Sequence, residues 1–412
     1  MHCCGEEHVD AAGYHVAVSF RNLIPLNSRL RLLLLSYFAL LLFVVASSAT
    51  FTGPVMPLYV KSLGIDIVGW SILASALWFG FFVAEWVWGS LGDRHDRRIL
   101  MLVSAMALCI LSLLFTFHLP FSIFTSLMFT TGALMVAFGP LTRSYVTTES
   151  PKRSLGFYTS LWWAFLVMGR VAGPLLGSYI AATWAFTDSF WLTSAMALAL
   201  FIFILTSFPS DRPKRPHKQN LMQSLREVMR HRPSQLLFLS AMLYFMAPTL
   251  ALTFLPLYAA LENNMPTIEV GILIASISGA ELISMPIIGY VADRYGRRRT
   301  IIVGLLASFM LFLLYFVARS STGLFLVSMG TGVGFAGTSL LLAMIPDVTP
   351  SRMYGAAVGV FGSFEDLASI VGPLLFGFVW ATFGPIYIFA VTSLTQLAAA
   401  FLVLKIPEAG SQ

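Results

Sequence analysis

Long apolar runs separated by short polar loops recur along the whole chain. Runs such as LRLLLLSYFALLLFVVASSATF (30–51) and SAMALALFIFILTSF (194–208) reach or approach the ~20 residues that a helix needs to cross ~30 Å of hydrocarbon. A helix satisfies its own backbone hydrogen bonds inside a bilayer, so each run is predicted to be helical. Twelve spans are predicted, near residues 33–60, 67–91, 98–118, 121–145, 157–182, 189–208, 235–259, 269–291, 300–318, 322–346, 356–381 and 385–406.

The composition supports an all-α membrane protein. The chain has 412 residues, of which 58% are hydrophobic, so it holds more apolar surface than a soluble core of this length buries. We expect a tail (1–30), a six-helix bundle (31–208), a linker (209–234), a second six-helix bundle (235–407) and a short tail (408–412). The basic linker has one apolar helical face, which predicts a short helix on lipid headgroups.

The basic residues predict the orientation in the membrane. The segment before the first predicted span (1–32) and the loops at 92–99, 146–155, 209–234, 292–299 and 347–355 carry 20 of the 25 Lys and Arg. The opposite face carries only Lys61 and Arg319. Because basic loops stay in the cytoplasm, both termini are predicted to be cytoplasmic, in a multi-pass protein of the cell membrane. The net charge of +6 therefore reflects topology and does not imply a nucleic-acid partner.

Other classes of chemistry find little support in the sequence. The N-terminal segment has no continuous apolar core behind a basic start, so we expect no cleaved signal peptide. Cys3, Cys4 and Cys109 give neither a disulfide framework nor metal-ligand spacing. There is no Gly-x-x-x-x-Gly-Lys loop for a nucleotide and no nucleophile with a base. We expect no enzyme activity, no cofactor and no metal.

A charged stretch occurs twice, and other short motifs repeat with it. GSLGDRHDRRIL (89–100) matches GYVADRYGRRRT (289–300). MPLY (56–59) recurs as LPLY (255–258), SPKR (150–153) as TPSR (349–352), and GPLL (173–176) as GPLL (372–375). All lie 199 or 200 residues apart, which indicates duplication of a six-helix unit. Because six is even, the two halves form a parallel repeat.

The repeated Gly-x-x-x-Asp-Arg-x-x-Arg-Arg resembles the signature loop of the major facilitator superfamily, and the resemblance covers residues 30 to 406. It implies a transporter of two six-helix bundles. It also implies a latch that closes the cytoplasmic side in the outward-open state, formed by Gly89, Asp93, Arg94 and Arg97 with the second copy Gly289, Asp293, Arg294 and Arg297. Simple basic anchoring is the alternative, but it leaves the aspartates unexplained. Asp96 stands where the family has a glycine, so we expect this loop to turn differently from the second copy, which keeps Gly296.

A few ionisable residues lie inside predicted spans, where charge is costly, and each is therefore a functional candidate. In the resembling fold, span 2 faces span 11, and span 5 faces span 8. Arg170 and Glu281 would then lie at comparable depth and could pair. Glu85 and Asp366, with Glu365 beside them, would also meet, and two facing carboxylates tend to share one proton. We hypothesise that these groups couple proton movement to rocking of the halves, the alternative being that they only fix helix register.

Span 5 contains GRVAGPLLG, which places Gly169, Gly173 and Gly177 four residues apart beside Pro174. Glycines at this spacing let helix backbones approach, and proline bends a helix, so close packing alone would explain the pattern. The stretch also resembles the span 5 motif of proton-driven exporters in the superfamily. Ser178 replaces the final paired glycine of that motif.

The polar content of the spans bears on the substrate. The chain has five Asn and five Gln, too few for a sugar site, against 18 Met and 35 Phe. Adaptable apolar and aromatic walls suit varied hydrophobic ligands, and Phe157, Tyr158, Trp162 and Trp163 are candidates for the cavity wall. Arg143 either reaches the headgroups or points into the cavity.

These patterns favour a secondary active exporter of small lipophilic or amphipathic compounds, of the multidrug type, that exchanges them for protons. One alternative is a uniporter or proton symporter for a small metabolite such as an organic anion. Another is a transport-inactive membrane sensor. The expected partners are the small-molecule substrate, protons and the lipid bilayer, and the chain is expected to act as a monomer.

Overall fold

A computed structural model of the chain describes residues 28–92, 94–151, 154–210, 227–350 and 353–406. These residues are almost entirely helical, and the helices group into twelve spans as predicted. Span 1 is Ser28–Thr50 with Val55–Ser62, span 2 is Ile67–Gly92, span 3 is Arg97–Leu114, span 4 is Phe121–Met135 with Phe138–Glu149, span 5 is Leu155–Thr183, and span 6 is Phe186–Ser207. Span 7 is Arg232–Thr253 with Leu255–Leu261, span 8 is Thr267–Tyr295, span 9 is Arg297–Leu314, span 10 is Ser321–Phe335 with Gly337–Ala343 and Ile345–Val348, span 11 is Tyr354–Phe383, and span 12 is Tyr387–Leu404.

In the described part of the chain, eleven of the spans are long and apolar enough to cross a membrane. Span 9 differs because three arginines occupy its first turn, although it is as long as span 3, with 18 residues each. The outer surface of the bundle is apolar. Large side chains such as Ile283, Val303 and Val317 are 66 to 74% exposed. Such a surface suits lipid, since a soluble protein rarely exposes contiguous apolar area on this scale.

The two halves pack in the same pattern. In the first half, span 1 packs on span 5, span 2 on span 4, and span 3 on span 6. The second half repeats this with span 7 on span 11, span 8 on span 10, and span 9 on span 12. The halves meet along two seams, where span 2 packs against span 11 and span 5 against span 8. This is the parallel-repeat architecture that the duplicated motifs predict.

We call the end of the bundle that carries the duplicated charged loops the basic end, and the other end the opposite end. At the opposite end the halves touch closely. The Trp70 indole Nε1 donates to the carbonyl of Thr253 over 2.9 Å, and Ser75 Oγ donates to the carbonyl of Ile370 over 2.8 Å. Near the basic end, Gly89 and Gly289 have no described atom within 4 Å of the position a Cβ would take.

Candidate functional site

A cavity lies between the two halves. Spans 2 and 5 of the first half and spans 7, 8, 10 and 11 of the second contribute its wall. The wall combines aromatic rings with charged groups, in particular Trp78, Trp163, Phe245, Phe335, Arg170, Glu281, Glu365 and Asp366. This is the composition expected of a small-molecule site, in which a few polar groups orient a ligand between apolar surfaces.

Glu85 of span 2 and Asp366 of span 11 lie side by side across the seam, with their carboxyl groups within hydrogen-bonding reach of each other. Asp366 Oδ2 is buried, and no described residue donates a hydrogen bond to it. Two ionised carboxylates are both acceptors, so this contact becomes a hydrogen bond only when one of them carries a proton. The geometry therefore provides a place for one proton between the halves.

Arg170 and Glu281 share the cavity without touching. Both line its wall, from span 5 and span 8, and the Glu281 side chain is only 6% exposed. Within the described residues, Arg170 forms no ion pair shorter than 4 Å, so the inter-half pair that depth alone predicted is not closed here. Arg170 acts on Glu281 and Glu365 through its field across the cavity.

Arg143 of span 4 faces the interior of the bundle, although it is not among the residues of the cavity wall described above. Its guanidinium lies 5.8 Å from the centre of the Trp162 ring, and its charge acts on Glu85 and Glu365. The Trp162 ring is buried, and its Nε1 donates to Thr142 Oγ1 over 3.0 Å.

The aromatic wall matches the prediction only in part. Of the four aromatic candidates of span 5, Trp163 lines the cavity, whereas Trp162 packs inside the first half. Phe157 is 67% exposed, and the backbone carbonyl of Tyr158 accepts a hydrogen bond from the Tyr37 hydroxyl over 3.0 Å. None of Phe157, Tyr158 and Trp162 is part of the cavity wall described above.

In the duplicated loops, the first arginine of each Arg-Arg pair binds span 4 or its counterpart, span 10. Arg97 is buried; its Nη1 donates to Ser144 Oγ at 3.0 Å and to Thr148 Oγ1 at 3.2 Å. Arg297 donates to the carbonyl of Ala343 at 2.9 Å and forms an ion pair with Asp347 at 3.2 Å. These contacts stay inside one half.

The second arginine of each pair binds the end of the last span of its half. Arg98 Nη2 donates to the carbonyl of Leu205 at 2.6 Å, and Arg298 Nη2 donates to that of Leu404 at 2.5 Å. A cation is favourable there because the last carbonyls of a helix have no partner within the helix. The loops therefore hold helix ends together in each half.

The inter-half latch remains a prediction. Asp93 lies outside the described residues. Arg94, Asp293 and Arg294 are exposed at the basic end. Of the other predicted latch residues, Arg97 and Arg297 form the contacts given above.

The sequence profile of the Major Facilitator Superfamily matches residues 38–280 and 237–412, which together cover most of the chain. The chain belongs to the Major Facilitator Superfamily. It is therefore a multi-pass membrane transporter, as the duplicated loops indicated.

Similar proteins of the superfamily are known from sequence and from structure. The multidrug resistance protein MdtG of Klebsiella pneumoniae (strain 342) is 28% identical over 372 residues, which cover 85% of this chain and 88% of that protein. A crystal structure of a D-xylose-proton symporter has a TM-score of 0.73 at 17% identity, covering 93% of this chain and 99% of that one. A bacterial homolog of the human lysosomal transporter Spinster, in an inward-facing and unoccupied conformation, has a TM-score of 0.69 at 13% identity over 92% of this chain and 94% of that one.

The departure from the superfamily pattern at Asp96 changes the loop as expected. Asp96 has φ −62° and ψ 113°, and its Oδ1 accepts a hydrogen bond from the backbone N–H of Arg98 at 2.9 Å, so it caps span 3. Gly296 has φ +92°, a conformation that L side chains rarely adopt. Asp96 Oδ2 also accepts from Ser210 Oγ at 2.6 Å, which fastens the segment after span 6 to this loop.

The glycines of the span 5 motif pack against span 1. An added Cβ would lie 2.6 Å from Val44 at Gly169, 2.0 Å from Ser48 at Gly173 and 1.8 Å from the carbonyl of Ala49 at Gly177. These distances are too short for a side chain, so the three glycines permit contact between backbones. Pro174 Cγ lies 3.7 Å from the position a Cβ would take at Gly53, in the break of span 1, and the Pro174 carbonyl oxygen lies 2.9 Å from that of Gly271 in span 8.

Proposed function

We propose that this transporter exports small lipophilic or amphipathic compounds in exchange for protons, by alternating access. In this proposal the basic end faces the cytoplasm. The observation that carries it is the Glu85–Asp366 carboxyl pair, which lies in the seam between the halves and borders the cavity.

A proton site at this position would couple to movement of the halves. The two carboxyls belong to different halves, so separation of span 2 from span 11 exchanges their contact with each other for contact with water. One proton entering down ~100 mV releases ~2.3 kcal/mol, which supports a gradient of about fifty-fold in a neutral solute. Coupling through this pair therefore supplies enough energy for export.

The cavity wall supports an amphipathic substrate. Trp78, Trp163, Phe245 and Phe335 offer flat apolar surfaces, while the charged groups supply a few fixed polar contacts. Aromatic surfaces of this kind accept ligands of varied shape. The similarity to the multidrug resistance protein MdtG points in the same direction.

The substitution Glu85→Gln tests the proposal. The amide keeps the shape of the side chain and can donate to Asp366, but it cannot take up and release a proton. In inside-out vesicles loaded with a pH dye, addition of a transported lipophilic compound should release lumenal protons with the parent protein. This release should fall at least tenfold with Glu85→Gln, while binding of the compound persists.

Glu262→Gln is the matched control, because Glu262 is an exposed carboxylate at the opposite end. It should leave proton release unchanged. Proton-coupled export at the parent rate in a normally expressed Glu85→Gln protein would remove Glu85 from the mechanism.

A second candidate function rests on the interior arginines. Arg143 and Arg170 face the interior, and no described acidic side chain lies within 4 Å of either as an ion pair. Two such cations suit an organic anion, carried by uniport or with protons. In the same vesicles, a symported organic anion would carry protons with it, a uniported anion would enter without moving protons, and a lipophilic cation would have no effect in either case.

A further inference from the structure

At the opposite end, two serines of the first half press directly against two glycines of the second half. Ser71 in span 2 meets Gly377 in span 11, where an added Cβ would lie 1.6 Å from Ser71 Oγ and 2.8 Å from Ser71 Cβ. Ser178 in span 5 meets Gly271 in span 8, where an added Cβ would lie 2.4 Å from Ser178 Cβ. Each seam therefore has one contact with no room for a second side chain.

The two contacts are related by the internal repeat. Residue 271 corresponds to residue 71 at the 200-residue offset of the charged loops, and residue 377 corresponds to residue 178 at the 199-residue offset of the GPLL motifs. The same two positions of the repeated unit thus form both contacts. The first half has serine at both positions, and the second half has glycine at both.

Hydrogen bonding between the halves does not explain why serine occupies positions 71 and 178. Ser178 Oγ is buried, and no described residue bonds to it. Ser71 Oγ donates to the carbonyl of Ile67 in its own helix at 2.8 Å. The serines therefore act through their volume, which fills the space that each glycine leaves. Close by, Ser75 donates across the seam of spans 2 and 11 to the carbonyl of Ile370, and Trp70 of span 2 donates to the carbonyl of Thr253 in span 7.

We propose that these two serine–glycine contacts form a gate. The opposite end can close because Gly271 and Gly377 have no side chain. A side chain at either glycine would keep the seam apart and shift the molecule toward a state that is open at this end. The protein interior does not absorb an overlap of this size, because packed helices already lie in contact.

The distance between spin labels at Ser62 and Glu262 reports on the gate. Both residues are exposed at the opposite end, one in each half: Ser62 ends span 1, and Glu262 directly follows span 7. In a background with Cys3, Cys4 and Cys109 replaced by Ser, the pulsed electron paramagnetic resonance distance should show mainly the closed state. With Gly377→Ser, a longer distance should change from a minor to the main population, and transport should fall at least tenfold.

The double variant Ser71→Gly/Gly377→Ser is the decisive comparison. It moves the serine to the other helix, and the nearest remaining neighbour of the new Cβ is the carbonyl of Ile67 at 3.4 Å, an ordinary contact. It should restore the short distance. If Gly377→Ser alone lowers the yield of folded protein, the double variant should restore that yield as well.

Gly279→Ala serves as the control, since no described atom lies within 4 Å of its added Cβ, and it should keep the parent distance. Gly271→Ala should open the second seam. A folded Gly377→Ser protein with the parent distance overturns the proposal, as does a double variant that stays as open or as poorly folded as the single one. The measurement needs no substrate or proton gradient, so its outcome is independent of the export direction and of proton coupling.

Discussion

At the scale of single residues, the duplicated loops show one structural problem solved in two ways. The chain must turn sharply between span 2 and span 3, and again between span 8 and span 9. Gly296 makes the second turn with a positive φ, which lies outside the range favoured by L side chains. Asp96 makes the first turn with a negative φ and caps the next helix with its carboxylate.

This difference predicts opposite tolerance to substitution at the two positions. Gly296→Ala should lower the free energy of unfolding by about 1–2 kcal/mol, because alanine resists a positive φ. Asp96→Gly should cost only a few tenths of a kcal/mol, whereas Asp96→Ala should cost about 1 kcal/mol through loss of the cap. Denaturant titration of the purified variants in one detergent measures all three. Equal losses for Asp96→Gly and Asp96→Ala would contradict the capping role.

At the scale of helices, spans 1, 4, 7 and 10 are broken, and the breaks in spans 4 and 10 recur at matching positions of the two halves. In span 10 the helix stops at Phe335 and resumes at Gly337. The Tyr244 hydroxyl of span 7 lies 2.8 Å from the carbonyl of Phe335 and 3.0 Å from that of Gly334. It supplies a donor to carbonyls that the break leaves without a helical partner, next to the cavity wall.

Tyr244→Phe should therefore affect both stability and substrate affinity. Loss of the hydroxyl should lower the free energy of unfolding by about 1 kcal/mol and raise KM, because Phe335 and Thr338 of the cavity wall flank the break. Transport kinetics and thermal unfolding in detergent measure the two effects.

Tyr315→Phe is the control for this prediction. The Tyr315 hydroxyl bonds Ser328 Oγ at 3.0 Å and is also buried, but it does not line the cavity. It should lower stability with no change in KM. If both variants had the KM of the parent protein, Tyr244 would contribute to stability and not to substrate affinity.

At the scale of the whole molecule, the charge distribution sets the expected orientation. Lys61 and Arg319 are the basic residues of the opposite end, while the duplicated loops place seven arginines at the basic end. In a cysteine-free background, Ser62→Cys should react with a membrane-impermeant thiol reagent in intact cells. Tyr295→Cys, which is also exposed, should react only after the membrane is permeabilised. The reverse labelling pattern would overturn the assigned orientation.

The sequence predicted the fold well for two reasons. The length of each apolar run identifies a membrane span, and the repeated motifs relate one six-helix half to the other. It also singled out Glu85, Glu281, Glu365, Asp366 and Arg170, since charge is rare inside the spans. It did not identify Trp78, Phe245 or Phe335, because aromatic residues are abundant on every face of these helices and composition cannot separate lipid-facing from cavity-facing rings.

Contacts between helices were the least predictable part of the molecule. Gly271 and Gly377 attracted no attention in the sequence, because an isolated glycine has no signal until the opposing helix is known. Arg170 and Glu281 were expected to pair because they lie at comparable depth on facing helices. Comparable depth does not bring two side chains into contact across a cavity, and the structure, which describes both residues, shows no ion pair between them. Helix register can be estimated from residue counts, but the separation of two helices cannot.

The division of serines and glycines between the halves has a consequence for how the two repeats recognise each other. Two copies of the first repeat would set serine against serine at both meeting points, and two copies of the second would leave a void at each. Only the mixed combination fits at both. If the two repeats were produced as separate polypeptides, each should therefore associate with the other repeat in preference to a second copy of itself. The two copies of the duplicated unit have become complementary to each other.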